Sequence, residues 1–237
     1  MDLEASLDTH RRIALACEGA SFEIYAWLLH LCVTSKFMRV ALFGGSFDPV
    51  HRGHVAIATA AADAFGLERV LFAPAGRQPL KPEGTPTSFA DRAAMARLAC
   101  AADARFRVSE VDAPRADGAP NYTIDTIAEL RRELPAVALF VLVGADSFLE
   151  LRRWRKPEGL LAAAEWIVVS RPGFSLEDLS ALRLSTAQLE RVHVLESVHE
   201  DVSATELRER LADGEDCSAW VPEPVLGYIQ AHGLYRA

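Results

Sequence analysis

Paired cysteines, long apolar runs and a surplus of basic residues are all missing from this 237-residue chain. The four cysteines, Cys17, Cys32, Cys100 and Cys217, form no CxxC pair and have no spacing that suggests a zinc site or a disulfide framework. They are expected to be reduced thiols in a reducing compartment. With 25 Lys and Arg against 33 Asp and Glu, the formal charge is -8, so the chain lacks the basic face that broad, counterion-releasing contact with nucleic acid requires. An anionic ligand must then be gripped by a local cluster of positive groups. The apolar stretch from Phe22 to Val33 is too short to cross a bilayer as a helix. Asp2, Glu4, Asp8, Glu18 and Glu23 precede or lie within it, unlike the basic flank of a secretory signal. A cytoplasmic protein with neither membrane nor nucleic-acid partners is the expectation, and no internal repeat or low-complexity tract breaks the pattern.

What is present is a regular alternation that begins at Met38. Residues 1–37 are expected to be an N-terminal extension without a part in chemistry, because the second methionine stands directly before the first strong strand pattern, Arg39–Phe43. Residues 38–237 are then the functional domain. Short β-rich runs at Arg39–Phe43, Arg69–Ala73, Phe106–Ser109, Ala138–Val143, Trp166–Ser170 and Val192–Leu195 predict strands. Helical patterns fall at Gly53–Phe65, Ser88–Ala102, Thr123–Leu134, Pro157–Ala164, Ala204–Asp213 and Pro222–Ala231. Near-continuous apolar strands such as Ala138–Val143 suit parallel strands covered on both faces, so the fold is read as α/β, a Rossmann-like doubly wound parallel sheet. Two loops rich in Pro and Gly, Pro74–Thr87 and Asp112–Asn121, follow the second and third strands, where such a sheet opens its ligand crevice.

The densest local signal is Gly44-Gly-Ser-Phe-Asp-Pro-Val-His-Arg-Gly-His54, between the first strand and the first helix. Two glycines after a strand let the backbone turn sharply and approach a ligand without a Cβ in the way. The stretch has neither GxxxxGK[ST] nor GxGxxG, which removes most support for a kinase or a dinucleotide-dependent dehydrogenase. His51 and His54 stand one helical turn apart at a helix start, where free N–H groups and the dipole favour anions. Their imidazole donors there would stabilise charge shifting toward a leaving group. Taken alone, the pair also reads as two surface histidines or as a metal site, although no HExxH and no third ligand accompany it. Near the C-terminus, Ser203 and Thr205 begin a predicted helix and Arg208 follows one turn on. That is either a plain N-cap with a solvent-facing arginine or a second phosphate grip. Asp48 before Pro49 either orients the loop by capping backbone donors, the favoured reading, or helps around a metal.

The first motif resembles the HxGH signature of the nucleotidyltransferase superfamily. Pro74 with Lys81, Asn121-Tyr-Thr123, Gly144-Ala-Asp146 with Trp154, Ser170-Arg-Pro-Gly173, Val202-Ser-Ala-Thr-Glu-Leu-Arg208 and Tyr228-Ile through Gly233-Leu-Tyr235 follow in order. Together they are similar to the bacterial nicotinate-nucleotide adenylyltransferases. The resemblance implies a sheet of the nucleotidyltransferase type and transfer of AMP from ATP to nicotinic acid mononucleotide, with Mg2+ on the ATP. It implies catalytic roles for His51, His54 and Arg208, and ATP contacts at Gly44, Gly45, Ser46, Phe47, Gly144, Asp146, Ser203 and Thr205. It also implies mononucleotide contacts at Lys81, Tyr122, Thr123, Trp154 and Arg171, no protein-held metal, and compatibility with a homo-oligomer. Related enzymes often carry Ser where this chain has Ala204, so a hydroxyl contact there is absent.

The chemistry agrees with the residue types. A phosphate monoester with a second pKa near ~6 is largely dianionic at neutral pH and needs no general base to attack phosphorus. The protein has only to align reactants and neutralise charge. The rival readings are another adenylyltransferase, accepting pantetheine phosphate or nicotinamide mononucleotide, and a non-catalytic nucleotide sensor. A pantetheine-phosphate enzyme would tend to carry Thr at His51 and to be shorter, and a sensor would be expected to lose His51, His54 or Arg208.

Overall fold

The structure, a computed structural model, describes residues 37–80, 84–170, 176–196 and 203–236. Met38–Ala237 make one compact unit. Its six parallel strands are β1 Met38–Gly45, β2 Arg69–Pro74, β3 Phe106–Val108, β4 Val137–Gly144, β5 Glu165–Ser170 and β6 Val192–Glu196. They are ordered β3-β2-β1-β4-β5-β6. The order reverses between β1 and β4, so chain connections leave in opposite directions there and open a crevice at the strand C-termini.

Strand alternation explains how the sheet is covered on both faces. In β1, Ala41 and Phe43 join one core cluster while Val40 and Leu42 join the other; in β4, Phe140 and Leu142 oppose Leu139, Val141 and Val143. The first face packs against α1 Arg52–Phe65 and α2 Phe89–Cys100, together with α7 Ala204–Ala212 and α8 Glu223–His232. Small residues on α1, Ala58, Ala61 and Ala62, are buried there and let the helix lie close to the strands. The second face packs against α3 Thr123–Glu133, α4 Ala145–Leu149 and α5 Pro157–Ala163. Trp166 is fully buried on that face.

All six predicted strands and all six predicted helices exist, with ends that differ by up to two residues. The short α4, α6 Thr186–Leu189 and the 3-10 turns Leu151–Arg153 and Leu176–Leu182 were not predicted. Each is too brief to build a helical apolar stripe of its own. Among the described residues no helix is long and apolar enough to cross a membrane. Cys100 and Cys217 are free thiols buried in the first cluster, and burial pushes the Cys100 thiol up to about 12.

Candidate active site

Both ends of the first motif are locked before any ligand arrives. Beyond β1 the chain passes Phe47, whose φ of 49 puts a bulky side chain in the left-handed region. That conformation costs an L-residue roughly 1 kcal/mol. The ring is only 1% exposed and sits edge-on to Phe43 at 5.4 Å and to His54 at 5.0 Å, so packing retains the strained turn. Arg92 of α2 donates from Nη1 to the Ser46 carbonyl at 2.7 Å, and Ala75 N–H donates to the Gly45 carbonyl at 2.8 Å. Arg208 of α7 donates from Nη1 to the Asp48 carbonyl at 2.7 Å. The loop's carbonyls therefore face outward into the protein. Among the described residues, no hydrogen bond uses the N–H of Ser46 or Phe47.

His51 is the N-cap of α1 and His54 its third residue, and their ring centroids are 3.8 Å apart. The His51 backbone N–H donates to Nδ1 of His54 at 3.2 Å, which places the His54 proton on Nε2 and leaves that N–H available as a donor. Nδ1 of His51 is buried and has no partner among the described residues. Burial lowers the His51 pKa to about 4; burial and then the adjacent His51 hold His54 well below its ordinary range. Both rings are thus neutral at pH 7 in the free protein. Gly53 is a packing requirement of the pair, because a Cβ there would lie 3.1 Å from Cε1 and Nδ1 of the His51 ring.

Across the crevice, Ser203 caps α7 by accepting the Glu206 N–H at 3.1 Å, and Arg208 Nη2 donates to Thr205 Oγ1 at 3.0 Å. The arginine therefore joins the start of α7 to the loop after β1 rather than extending into solvent. A Cβ at Gly44 or Gly144, at the ends of the two switch-point strands, would meet nothing within 4 Å, so these backbones border open space. Asp146 is exposed in the first turn of α4.

A second region of the candidate site is assembled from both predicted loops. Arg77 and Asn121 exchange hydrogen bonds: Arg77 N–H donates to Asn121 Oδ1 at 3.0 Å, and Asn121 N–H donates to Arg77 O at 2.9 Å. Gly76 N–H reaches Asp112 O at 2.7 Å. This pairing sets the approach to α3, whose first turn has no side-chain cap at Tyr122. The Arg155 guanidinium lies 4.7 Å from the Tyr122 ring centroid. Trp154 is half-buried, edge-to-face with Trp166 at 6.1 Å, and packs with Ile124 of α3 against the second cluster. Its position is therefore partly a matter of core packing. Lys81 and Arg171, the two remaining predicted contacts, lie outside the described residues.

Sequence reasoning missed Arg92, Arg155 and the contact of the Tyr235 hydroxyl with Asp48. Arg92 left a signal: with Met95, Ala96 and Ala99 it occupies the buried face of α2, where a charge is unexpected unless it has partners. Among the described residues, no group of three or more His, Cys, Asp and Glu is placed to hold a metal, so the metal reading of His51 and His54 gains no further ligand there.

Known proteins resemble this chain in sequence and in fold. The family described as Cytidylyltransferase-like matches residues 42–210. A protein of Roseiflexus castenholzii named "Probable nicotinate-nucleotide adenylyltransferase" is 43% identical over 84% of this chain and 98% of its own length. One of Thermus thermophilus with the same name is 40% identical over 84% of this chain and 100% of its own. In fold, the chain resembles the Plasmodium falciparum nicotinic acid mononucleotide adenylyltransferase, solved as complexes with APC and with NaAD. The TM-scores are 0.64 and 0.63 at 15% identity, covering 84% and 83% of this chain and 97% of that one.

Proposed function

The chain belongs to the cytidylyltransferase-like family, and from that premise we propose that it transfers AMP from ATP to nicotinic acid mononucleotide in NAD biosynthesis. A phosphate oxygen of the mononucleotide attacks the α-phosphorus of ATP. The bond to the bridging oxygen breaks, and that oxygen leaves with the electron pair as part of pyrophosphate. The attacking monoester is already ionised, so no side chain has to remove its proton.

The observation that carries the reading is the convergence at the switch point of unpaired loop amides with the histidine pair, His51 buried and His54 half-buried with its proton placed on Nε2. The N–H groups of Ser46 and Phe47 and the Nε2–H of His54 supply donors without being charged beforehand. The unpartnered Nδ1 of His51 is the kind of buried polar atom that a ligand satisfies. These groups hold the ATP phosphates, and the histidines stabilise charge as it moves to the pyrophosphate. Gly44 and Gly144 give the nucleotide access to the backbone, with Ser203 and Thr205 at the phosphates and Asp146 at the ribose. Arg208 has two donors engaged by Asp48 and Thr205 and contributes charge and alignment from that fixed place.

For the acceptor, the uncapped start of α3 at Tyr122 and Thr123 would receive the pyridine carboxylate, with Arg155, ion-paired to Asp125 of the same turn at 3.7 Å, alongside. Trp154 would offer its free face to the pyridine ring, and Lys81 and Arg171 would meet the mononucleotide phosphate. ATP enters as its Mg2+ complex, with the metal held by phosphate oxygens, the hard ligands it prefers. A cytoplasmic location is part of the same proposal.

The test is pyrophosphate release by the purified chain with ATP and Mg2+. Nicotinic acid mononucleotide, nicotinamide mononucleotide and phosphopantetheine are compared as acceptors. Preference for the nicotinic acid compound is the expected result; preference for either other acceptor overturns the assignment of substrate, and inactivity with all three overturns the reaction.

A further inference from the structure

The loop Ser46–Pro49 is set partly by residues remote from it in sequence. Asp48 is 1% exposed, and a carboxylate so enclosed must be compensated by donors. Tyr235, at the end of the turn after α8, donates its hydroxyl to Asp48 Oδ1 at 2.5 Å. Thr87 N–H approaches Oδ2 at 3.5 Å, a much weaker contact. Arg92, 1% exposed, binds the Thr87 carbonyl through Nε at 3.2 Å and the Ser46 carbonyl through Nη1 at 2.7 Å. The Asp48 carboxylate is thus the point where the C-terminal turn, the start of α2 and the loop after β1 meet.

Two features indicate that the tyrosine contact is more than surface closure. Tyr235 has a φ of 60, an unfavourable backbone state for a bulky residue, so its position is imposed by tertiary contacts. Burial, followed by the Asp48 bond, pushes its phenol above the ordinary range, so it remains a donor at neutral pH. The same loop is strained at Phe47, and on its far side the chain runs directly into His51 and His54.

We propose that Tyr235 is a positioning residue for adenylyl transfer: through Asp48 it clamps the loop after β1 and thereby sets the histidine pair and the Ser46 and Phe47 amides. The proposal rests on the reading of the site given under Proposed function. Removing the hydroxyl leaves Asp48 Oδ1 without its strong donor, and the loop relaxes without any change in residues that meet substrate. Misplacement by about 1 Å costs up to ~100-fold in rate.

Tyr228 supplies the control. It lies on α8 in the same C-terminal segment and donates its hydroxyl to Asp91 Oδ1 at 2.9 Å, away from the loop. Tyr235→Phe and Tyr228→Phe are compared with the unaltered chain by steady-state kinetics with ATP and nicotinic acid mononucleotide. Thermal melting and the imidazole proton NMR resonances of His51 and His54, recorded without substrate, complete the comparison. The expected result is a roughly tenfold or greater loss of kcat in Tyr235→Phe, with KM for the mononucleotide within about twofold. Its His51 and His54 resonances shift, whereas Tyr228→Phe retains both kcat and resonances. Unchanged kcat in Tyr235→Phe overturns the proposal, as does an equal kcat loss in both variants. Should the unaltered chain prove inactive with this acceptor, the proposed function falls separately. The resonances then judge the clamp: unmoved peaks overturn it, and a shift specific to Tyr235→Phe upholds the loop contact.

Discussion

His51 and His54 are neutral at pH 7 because burial, and for His54 also the adjacent His51, disfavours their charged forms. In the unfolded chain an imidazole takes up a proton below about pH 6.5, but folded His51 resists until about 4. The unfolded state therefore binds more protons across that interval, and stability falls as pH drops through it, levelling off below about 4. At ~1.4 kcal/mol per pKa unit, His51 alone should remove about 2 kcal/mol between pH 6.5 and pH 5. His54, the titratable group facing it, adds in the same direction. Urea titrations at the two pH values should show this loss in the unaltered chain and a smaller one in His51→Gln. For catalysis, His54→Ala removes a donor proposed to act on departing charge. Turnover should fall roughly 100- to 1000-fold while mononucleotide affinity, measured by calorimetry, changes little. Equal losses in both would place His54 in ground-state binding instead.

Elements matter here chiefly by their ends. The N-terminus of α1 holds the histidine pair, that of α7 presents Ser203 and Thr205, and that of α3 is left uncapped at Tyr122. Each start has a positive dipole end, which favours anions, although several of the N–H groups there are already engaged: Arg52 N–H by the Trp220 carbonyl at 2.7 Å and Glu206 N–H by Ser203 Oγ at 3.1 Å. Gly53 links element and site. A methyl placed 3.1 Å from the His51 ring must push it or shift the first turn of α1. Gly53→Ala should thus lower kcat/KM for ATP by at least about tenfold. Loss of that order with an unchanged melting temperature would locate the effect in ring placement, and full activity would show that the ring can yield without consequence. The ends of elements were the less legible part of the sequence. The 14-residue α1 announced itself through periodicity, whereas α4, five residues long, had no repeat to reveal it.

On the scale of the molecule, the site is a crevice between two halves of one sheet. Loop after β1, start of α2, start of α7 and C-terminal turn all converge on Asp48. A ligand that spans the crevice should stabilise the whole fold. Nicotinic acid adenine dinucleotide at 100 times its Kd should add about 2.7 kcal/mol. For a domain of this size that raises Tm by roughly 5–10 °C, readable by calorimetry. A rise of that size with the nicotinamide dinucleotide and none with the nicotinic acid compound would contradict the proposed substrate. By itself the sequence determined the strand and helix order, and hence the parallel sheet. Apolar runs such as Ala138–Val143 and helical stripes are local patterns that need no partner to be read. It also singled out His51, His54, Ser203 and Arg208, because residues grouped around a helix start lie close together along the chain. Only the tertiary structure decided that Arg92 lies buried against the loop, that Arg208 ties Asp48 to Thr205, and that Tyr235 closes on a carboxylate 187 positions away. Those contacts depend on hydrogen bonds between distant segments, which are specified by where the packed sheet brings its edges together and not by spacing along the chain.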